Sequence, residues 1–454
     1  MKKNLIHIII LLIVPMSLYG QGKKVTLKEC IKIALQHHPS FQVSAENKKI
    51  AFAQYKQFKA MRNPQVAASI QTIETTKSTA TNTNFTIPGV DTDISIMGGL
   101  TATYKLFDPS ISHQEKTARL KLDMSKISLI TLKNNIILNV KKSYYGYLIA
   151  TENVKIKKQL LEKYIQKKKQ AEILFKTGLR PKLDISKAAV SLAEGQLQLE
   201  KAKNNRRSML YKLYTSMGVT QSALINIKPV SINKLPLLRY NIVDLKKLSL
   251  LYNPDIKLVK SSIMVKRINI AISRSLRYPT VGLSLIFGMQ LDKIYGLNND
   301  IHLFGDNFKA DNWTPRIAFQ ITASMPVYTG GLISAKVDES IAVYNKSVLS
   351  ARQKIITVNN QITKYFKTLA ELKKQLKMTE LILSNSKKHL LLSIRTYENG
   401  AGSLLNLKDA QMSVDNAELG YLQVKYQYMI TMAELANIIG LDEEYLCRSG
   451  KKKR

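Results

Sequence analysis

The side chains with the clearest chemical potential in this sequence follow two glycine turns. Asp184 stands six residues after Gly178, and Asn406 stands six residues after Gly400, with Asp409 three residues further on. Carboxylates of several copies that meet around a narrow pore attract cations. For Asp409 the alternative is an ordinary polar residue near a helix start, where the helix dipole favours a negative charge. The spacing therefore indicates either an ion-attracting site or a simple helix start.

Other patterns that support catalysis or cofactor binding are weak. His37 and His38 are adjacent, so a helix cannot present both to one metal ion. The Gly400–Gly402 turn lacks the preceding strand and the third glycine of a nucleotide-binding loop, which favours a turn between two helices. We therefore predict that the protein is not an enzyme and has no cofactor and no metal site.

The chain is strongly basic. Its 454 residues contain 69 Lys and Arg against 32 Asp and Glu, which gives a net charge of +37. Such a charge suggests a nucleic-acid partner, but the lysines are spread over all predicted helices and form no recognition motif. We predict no nucleic-acid binding and assign most of the charge to solvated helix faces, with attraction to anionic lipid as a second cause. Whether Cys30 and Cys447 pair in an oxidising compartment stays open.

The first twenty residues are typical of a secretory signal peptide. Lys2 and Lys3 precede a mostly apolar run of 14 residues, Leu5 to Leu18, and cleavage after Gly20 fits the sequence. A membrane-spanning helix needs about 20 residues, although an N-terminal anchor is the alternative. An exported chain of this kind is periplasmic, secreted or an outer-membrane β-barrel.

The chain contains two copies of one unit. The repeated landmarks are Pro39 and Pro254, Gly178 and Gly400, and Gly218 and Gly440. The prolines are 215 residues apart and both glycine pairs are 222 apart, so an insertion lies near 291–314. A period this long indicates a duplicated domain. We predict a signal peptide at 1–20, a first copy at 21–229, a second at 230–440 and a basic tail at 441–454.

Each copy is predicted to contain helices, a β-hairpin, a long helix and a further helix. Alternating apolar and polar residues predict the hairpins at 65–107 and 280–328, with strands of about 10–14 residues, the length of a membrane-crossing strand. A soluble hairpin shows the same alternation and is the alternative. The helices are predicted at 26–38 and 40–62, ended by Pro39 and Pro64, and at 109–176, 180–218, 331–397 and 403–440.

The helix at 331–397 has the strongest periodicity. Apolar residues recur every seven positions from Ile341 to Tyr397, and a second heptad position runs from Val337 to Leu372. This is the seam of a coiled coil. A helix of this length extends about 100 Å, and two shorter helices stacked end to end match it. We therefore expect an elongated helical cylinder with hairpin turns at the two glycines.

The order of elements, the duplication and both turns resemble the TolC-type outer-membrane efflux channels. The motifs are Gly178-Leu-Arg-Pro-Lys-Leu-Asp184-Ile-Ser-Lys-Ala188 and Gly400-Ala-Gly-Ser-Leu-Leu-Asn406-Leu-Lys-Asp409-Ala410, and the resemblance covers essentially the whole mature chain. It implies a mixed α/β membrane protein with a long α-helical coiled-coil periplasmic tunnel and four transmembrane β-strands per chain. It also implies a homotrimer that closes a 12-stranded barrel in the outer membrane. The implied partners are outer-membrane lipid, a periplasmic adaptor (membrane fusion) protein and an inner-membrane pump.

The resemblance also implies roles for individual residues. Asn406 and Asp409 would line the periplasmic gate, with one carboxylate per protomer because the first position is Asn. Asp184, Tyr397 and Arg180 would make the contacts that close the tips, although Tyr397 is equally the last residue of the heptad seam. The family has an arginine where Gly402 stands, so the closing contacts differ here in detail. The tip residues expected to contact the adaptor are Gly178, Lys182, Gly400, Gly402 and Ser403.

Three functions fit these observations. The first is a passive channel that exports small molecules from an adaptor and pump complex. The second is the outer-membrane channel of a type I protein secretion system, and the third is a periplasmic coiled-coil scaffold that forms no channel. Strand pairs in both copies favour a channel, because a scaffold needs no strands of lipid-spanning length.

Overall fold

The computed structural model describes residues 24–78, 90–179, 181–220, 226–227, 235–295, 313–399 and 403–447. The helices are α1 (Leu27–His37), α2 (Pro39–Ala60), α3 (Pro109–Lys176), α4 (Lys182–Met217), α5 (Ile242–Tyr252), α6 (Pro254–Ser275), α7 (Leu332–Glu398), α8 (Leu404–Ile439) and α9 (Glu443–Cys447). The strands are β1 (Lys24–Val25), β2 (Gln65–Ser78), β3 (Val90–Phe107), β4 (Asn226–Ile227), β5 (Thr280–Tyr295) and β6 (Trp313–Ser324). The predicted signal peptide lies outside the described residues. Among the described helices, none is both long enough and apolar enough to cross a membrane.

The chain divides into two compact units. Unit 1 contains Met1–Asn47, Lys126–Val259 and Ala351–Arg454, and unit 2 contains Lys48–Ser125 and Lys260–Ser350. Each unit draws segments from both halves of the sequence, so the assignment of two copies stays a prediction. The predicted fold class is confirmed, because long helices accompany an antiparallel sheet of four strands.

Unit 2 contains this sheet, in the order β2–β3–β5–β6. β2–β3 and β5–β6 are hairpins, and the central pair joins β3 to β5 from the two halves of the chain. One row across the sheet consists of Ala68, Leu100, Phe287 and Ile317. The next row consists of Ser69, Gly99, Gly288 and Arg316. Because neighbouring residues of a strand point to opposite faces, the sheet has one apolar and one polar face.

Glycine is required at the centre of the polar face. A Cβ atom on Gly99 would lie 2.6 Å from the Cα atom of Gly288, and one on Gly288 would lie 2.6 Å from the carbonyl oxygen of Gly98. Contacts this short are not tolerated by a side chain, so β3 and β5 approach each other closely only because both residues are glycine.

Two hydrophobic clusters form the core of unit 1. In the first, α1 buries its apolar stripe against α3 and α4; buried members are Cys30, Ile33, Ala34, Val140, Tyr144, Leu213 and Met217. Thr26 begins α1 with a capping box, because its backbone N–H donates to Glu29 Oε2 at 2.7 Å and its hydroxyl accepts from the Glu29 N–H. The cap directs the chain from β1 into the cluster.

The second cluster contains the middle of the predicted heptad seam. Val358, Ile362, Leu369 and Leu372 on α7 are all buried, and they pack with residues of α5, α6 and α8. Asn253 supports this packing, because its side-chain amide donates to the Ile438 carbonyl and its side-chain oxygen accepts from the Ile256 N–H. Burial in the middle of α7 therefore matches the coiled-coil pattern of the sequence, whereas Val348 of the same predicted seam is 39% exposed.

The structure gives the outcome of three predictions, which concern Pro39, the C-terminal tail and the two cysteines. Pro39 directly follows the end of α1, as predicted, and it is also the first residue of α2, because the first helical position needs no backbone donor. The predicted tail at 441–454 contains α9, and Leu446 of this helix is fully buried in the second cluster. Cys30 and Cys447 are both free thiols. Burial raises the pKa of the Cys30 thiol to about 12, so this thiol is not reactive at neutral pH.

The glycine landmarks end helices in matching ways. Gly218 has φ +70° and follows α4, and Gly440 has φ +85° and follows α8. A Cβ on Gly218 would lie 2.6 Å from the His38 Cα atom, and one on Gly440 would lie 2.6 Å from the Tyr252 carbonyl oxygen. Both positions therefore need glycine for the backbone angle and for the close approach.

Candidate functional site

The first tip is the turn that follows α3. The Gly178 N–H donates to the Phe175 carbonyl at 3.0 Å, and the Leu179 N–H donates to the Leu174 carbonyl at 2.9 Å. With φ +75° at Gly178, this is a Schellman motif, which ends a helix and satisfies its last carbonyls. A predicted tip residue therefore has a defined structural role.

The helix after this tip begins with a proline. Pro181 precedes α4, and Lys182 is its exposed first residue. Asp184 lies in the first turn, half-buried, and its N–H donates to the Pro181 carbonyl at 3.0 Å. Within the described part of the chain, the Asp184 carboxylate makes no ion pair, so its clearest interaction is with the helix dipole.

The second tip leads into α8. Ser403 is the N-cap of this helix, and its hydroxyl accepts from the Asn406 N–H at 3.1 Å. The side chains of Asn406 and Asp409 are exposed. They are three residues apart on a helix and therefore share one face. The structure thus places the two predicted gate residues side by side on the first turns of α8.

Several predicted tip residues, or their side chains, lie outside the part of the chain that the structure describes. Arg180, Gly400 and Gly402 lie outside the described residues. Tyr397 belongs to the last turn of α7, but its side chain is not among those described. The closing contacts of Asp184, Tyr397 and Arg180 therefore stay a prediction.

A polar contact that the sequence did not indicate connects α8 to α4. Lys408, next to Asp409, forms an ion pair with Glu194 at 3.7 Å. Its ammonium group also donates to the Ser191 hydroxyl at 3.4 Å. Because Lys408 lies between the predicted gate residues along the helix, this contact fixes the start of α8 against α4.

A second polar chain connects α8 to α3. The Lys163 ammonium donates to Gln411 Oε1 at 2.5 Å, and Gln411 Nε2 donates to Asp415 Oδ1 at 2.8 Å. Gln411 and Asp415 are each 8% exposed, and the second oxygen of Asp415 has no hydrogen-bond partner among the described residues. A carboxylate with half of its acceptors unused in a buried position is destabilising when charged.

The surroundings shift the pKa values of this cluster. Burial raises the pKa of Asp415, and the Gln411 hydrogen bond and the Lys163 charge oppose that rise only in part. Burial lowers the pKa of Lys167, and the charges of Lys163 and Lys408 lower it further. The charged forms of both groups are therefore disfavoured, and α8 is held to α3 and α4 by a network that responds to protonation.

A close helix contact lies beside this network. Gly195 on α4 is buried, and a Cβ at this position would lie 2.6 Å from Cδ2 of Tyr164 on α3. The Tyr164 ring therefore occupies the space that a side chain on α4 would need. The sequence contains no signal for this contact, because heptad and helix periodicity do not identify which residue lies opposite a glycine.

These contacts position polar side chains but assemble no reaction centre. In the described ranges, no three His, Cys, Asp or Glu side chains are grouped to hold a metal ion. What the geometry supports is an exposed carboxylate on each chain, carried on a helix whose position depends on Lys408, Gln411 and Asp415.

Comparison with known proteins identifies the family that has this architecture. A family model described as outer membrane efflux protein matches residues 30–219 and 245–441. The cation efflux system protein CusC of Escherichia coli (strain K12) is 23% identical over 313 residues, which cover 67% of this chain and 64% of CusC. The alignment thus spans less than two thirds of that relative.

Solved structures share the fold. A membrane protein from Pseudomonas aeruginosa has a TM-score of 0.75 at 19% identity, with 91% of this chain and 90% of that chain covered. The CmeC outer membrane channel of Campylobacter jejuni has a TM-score of 0.74 at 17% identity, with 91% and 85% covered. Since the family model matches both halves of the sequence, this chain belongs to the outer membrane efflux protein family and is a protein of the outer membrane.

Proposed function

We propose that three copies of this chain form one outer-membrane channel that exports small molecules delivered by a periplasmic adaptor and an inner-membrane pump. The observation that carries this proposal is the four-stranded sheet with one apolar face. Its side chains are strongly exposed in the single chain: Ile70 is 81% exposed, Ile317 72% and Phe319 67%. Such a face is suited to lipid.

The open strands of the sheet require further copies. In the described sheet, β2 pairs only with β3, and β6 pairs only with β5. Unpaired backbone groups are not tolerated in lipid, so each outer strand needs a partner. Four strands are too few to close a barrel around a pore, whereas three copies supply twelve.

The tips supply the gate in this proposal. The exposed Asp409 carboxylates of three copies converge on the channel axis, and Lys408, Gln411 and Asp415 hold the helix that carries them. The relative CusC is named for a cation efflux system, which agrees with an export function. The pump supplies the energy, and the channel is passive.

Oligomeric state and location test the proposal together. The full chain, extracted from outer membranes in detergent, should have the mass of a trimer by light scattering. Ile317→Arg on the apolar face should reduce the trimer in the membrane, because a cation facing lipid costs about 2–4 kcal/mol near the bilayer centre. Gln320→Arg on the polar face is the matched control and should leave the trimer intact. Recovery of the chain as a soluble monomer from the periplasm would contradict the proposal.

A further inference from the structure

A cleft in unit 2 lies where helices and strands meet. Its volume is about 630 Å³, and it is lined by the first turns of α3, the second half of α6 and α7. The polar lining residues are His113, Arg267, Arg274, Tyr278 and Tyr344, and the apolar ones are Ile270 and Ala271. Nothing in the proposed transport function uses this cleft.

The wall of the cleft is fixed before any ligand binds. Arg267, Ile270 and Arg274 are spaced by three and four residues and therefore form one stripe of α6. The neighbouring stripe is joined to α7, because the hydroxyls of Ser273 and Ser340 share a hydrogen bond of 2.7 Å. Arg277 also donates to the Ser334 hydroxyl at 3.2 Å. A preformed wall reduces the entropy lost on binding.

The α6 wall of the cleft is positively charged. Residues 256–291 contain six Lys and Arg and no Asp or Glu. Within the part of the chain that is described, neither Arg267 nor Arg274 has an ion-pair partner. The nearby carboxylate of Glu115 on α3 is engaged by Arg62 at 2.7 Å. Both arginines are exposed, so two guanidinium groups on one wall are available to an anion from outside the chain.

Aromatic side chains place the cleft at the level of lipid headgroups. Tyr278 lies two residues before β5, Phe107 ends β3, and Tyr328 follows β6. All three are exposed, Tyr328 to 89%. Aromatic residues in this position mark the boundary between the apolar band of a membrane strand and the headgroups. The cleft lies on the helical side of this boundary, where phosphate groups are found.

We propose that this cleft binds the phosphate group of a phospholipid. The planar guanidinium groups of Arg267 and Arg274 match phosphate oxygens, and the hydroxyls of Tyr278 and Tyr344 add neutral donors. Ile270 and Ala271 contact the glycerol and the first acyl carbons. A soluble phosphate ester has the same anionic group, but it leaves the apolar lining residues Ile270 and Ala271 exposed to water, which favours the lipid.

Calorimetric titration of the full chain, purified in a phosphate-free detergent, tests the proposal. The probes are a short-chain phosphatidylglycerol below its micelle concentration and glycerol phosphate. We expect saturable binding of the lipid and at least about tenfold weaker binding of glycerol phosphate, since the latter lacks the acyl contacts. The double variant Arg267→Gln/Arg274→Gln should weaken lipid binding by at least about tenfold, because two charge-assisted contacts are lost.

Two further variants keep the test decisive. Lys260→Gln/Lys266→Gln removes the same charge from the same helix outside the lining and should change lipid affinity less than about twofold. Tyr344→Phe removes only a hydroxyl and should weaken binding about threefold to tenfold. Equal affinity for glycerol phosphate would overturn the lipid assignment. Equal losses of lipid affinity in both double variants, or no saturable binding of the lipid, would overturn the assignment of the binding site to this cleft. None of these outcomes depends on whether the trimer conducts.

Discussion

The ring of Tyr164 on α3 fills the position where Gly195 on α4 would carry a side chain, with 2.6 Å between the ring and the missing Cβ. The two helices meet beside the network that holds α8. This contact makes glycine at position 195 a packing requirement, although glycine normally weakens a helix.

We therefore expect Gly195→Ala to destabilise the protein. Overpacking costs about 1–3 kcal/mol, which exceeds the gain of about 1 kcal/mol in helix propensity. Denaturant unfolding in detergent measures the difference. Gly420→Ala on α8 is the control, because its Cβ would meet no atom within 4 Å; this change should be neutral or stabilising. Equal behaviour of the two variants would show that Tyr164 moves away at no cost.

Comparison of Gly178 with Gly440 separates the cost of a positive φ angle from the cost of a steric clash. Gly178 and Gly440 both have positive φ, but only a Cβ on Gly440 meets a backbone atom, the Tyr252 oxygen at 2.6 Å. Gly178→Ala should cost about 1–2 kcal/mol, the cost of the left-handed conformation alone. Gly440→Ala should cost clearly more in the same unfolding assay. Similar losses would mean that Tyr252 shifts without penalty.

Asp415 should make stability depend on pH. Its pKa is raised above the ordinary value of 3.8, so the folded state binds more protons than the unfolded state between these two pKa values. Stability therefore falls as pH rises through this window and stays lower above it. Asp415→Asn should remove this fall and raise stability at neutral pH by about 1–2 kcal/mol.

The control for Asp415 is Asp409→Asn. It makes the same chemical change at an exposed site of the same helix, and its effect on stability should stay within about 0.5 kcal/mol. Unfolding curves recorded across pH 4–8 compare the variants. A slope that persists in Asp415→Asn would assign the pH dependence to another group.

Asp409 should control ion selectivity. Three carboxylates around a narrow opening attract cations, so Asp409→Ala should lower the cation preference of the channel and weaken block by multivalent cations. Reversal potentials in planar bilayers with a salt gradient measure the preference. Asn406→Ala removes a neutral neighbour on the same helix face and should leave it nearly unchanged. An unaltered reversal potential in Asp409→Ala would place the constriction elsewhere.

The tips should contact the adaptor. Lys182 and Ser403 are exposed and begin the helices that follow the two tips. A photo-crosslinker at either position should capture an adaptor subunit in cells. Tyr328, beside the sheet and 89% exposed, is the matched negative position. Crosslinks from Tyr328 but not from the tips would place the adaptor contact at the sheet end of the helices and contradict the proposal.

Sequence periodicity predicts which face of a strand or helix is buried, and this explains which parts of the fold could be predicted. Alternation identified the strands of both hairpins, and the seven-residue spacing identified Val358 and Leu372 as buried residues of α7. The helix predicted at 403–440 also agrees with α8, which begins directly after its N-cap Ser403. The contact of Lys163 with Gln411 joins residues that are distant in the chain. No local pattern encodes such a pair, because its partners depend on which helices become neighbours.

The central pairing of β3 with β5 joins strands from the two halves of the chain. The two strands of each hairpin are near each other in the sequence, whereas α3, α4, α5 and α6 separate β3 from β5. Strand pairing across such a long stretch of chain is slow. Until it is complete, every newly made chain holds two separate hairpins with open edges and an apolar face, which are surfaces that promote aggregation. The yield of native protein should therefore fall steeply as the rate of synthesis rises.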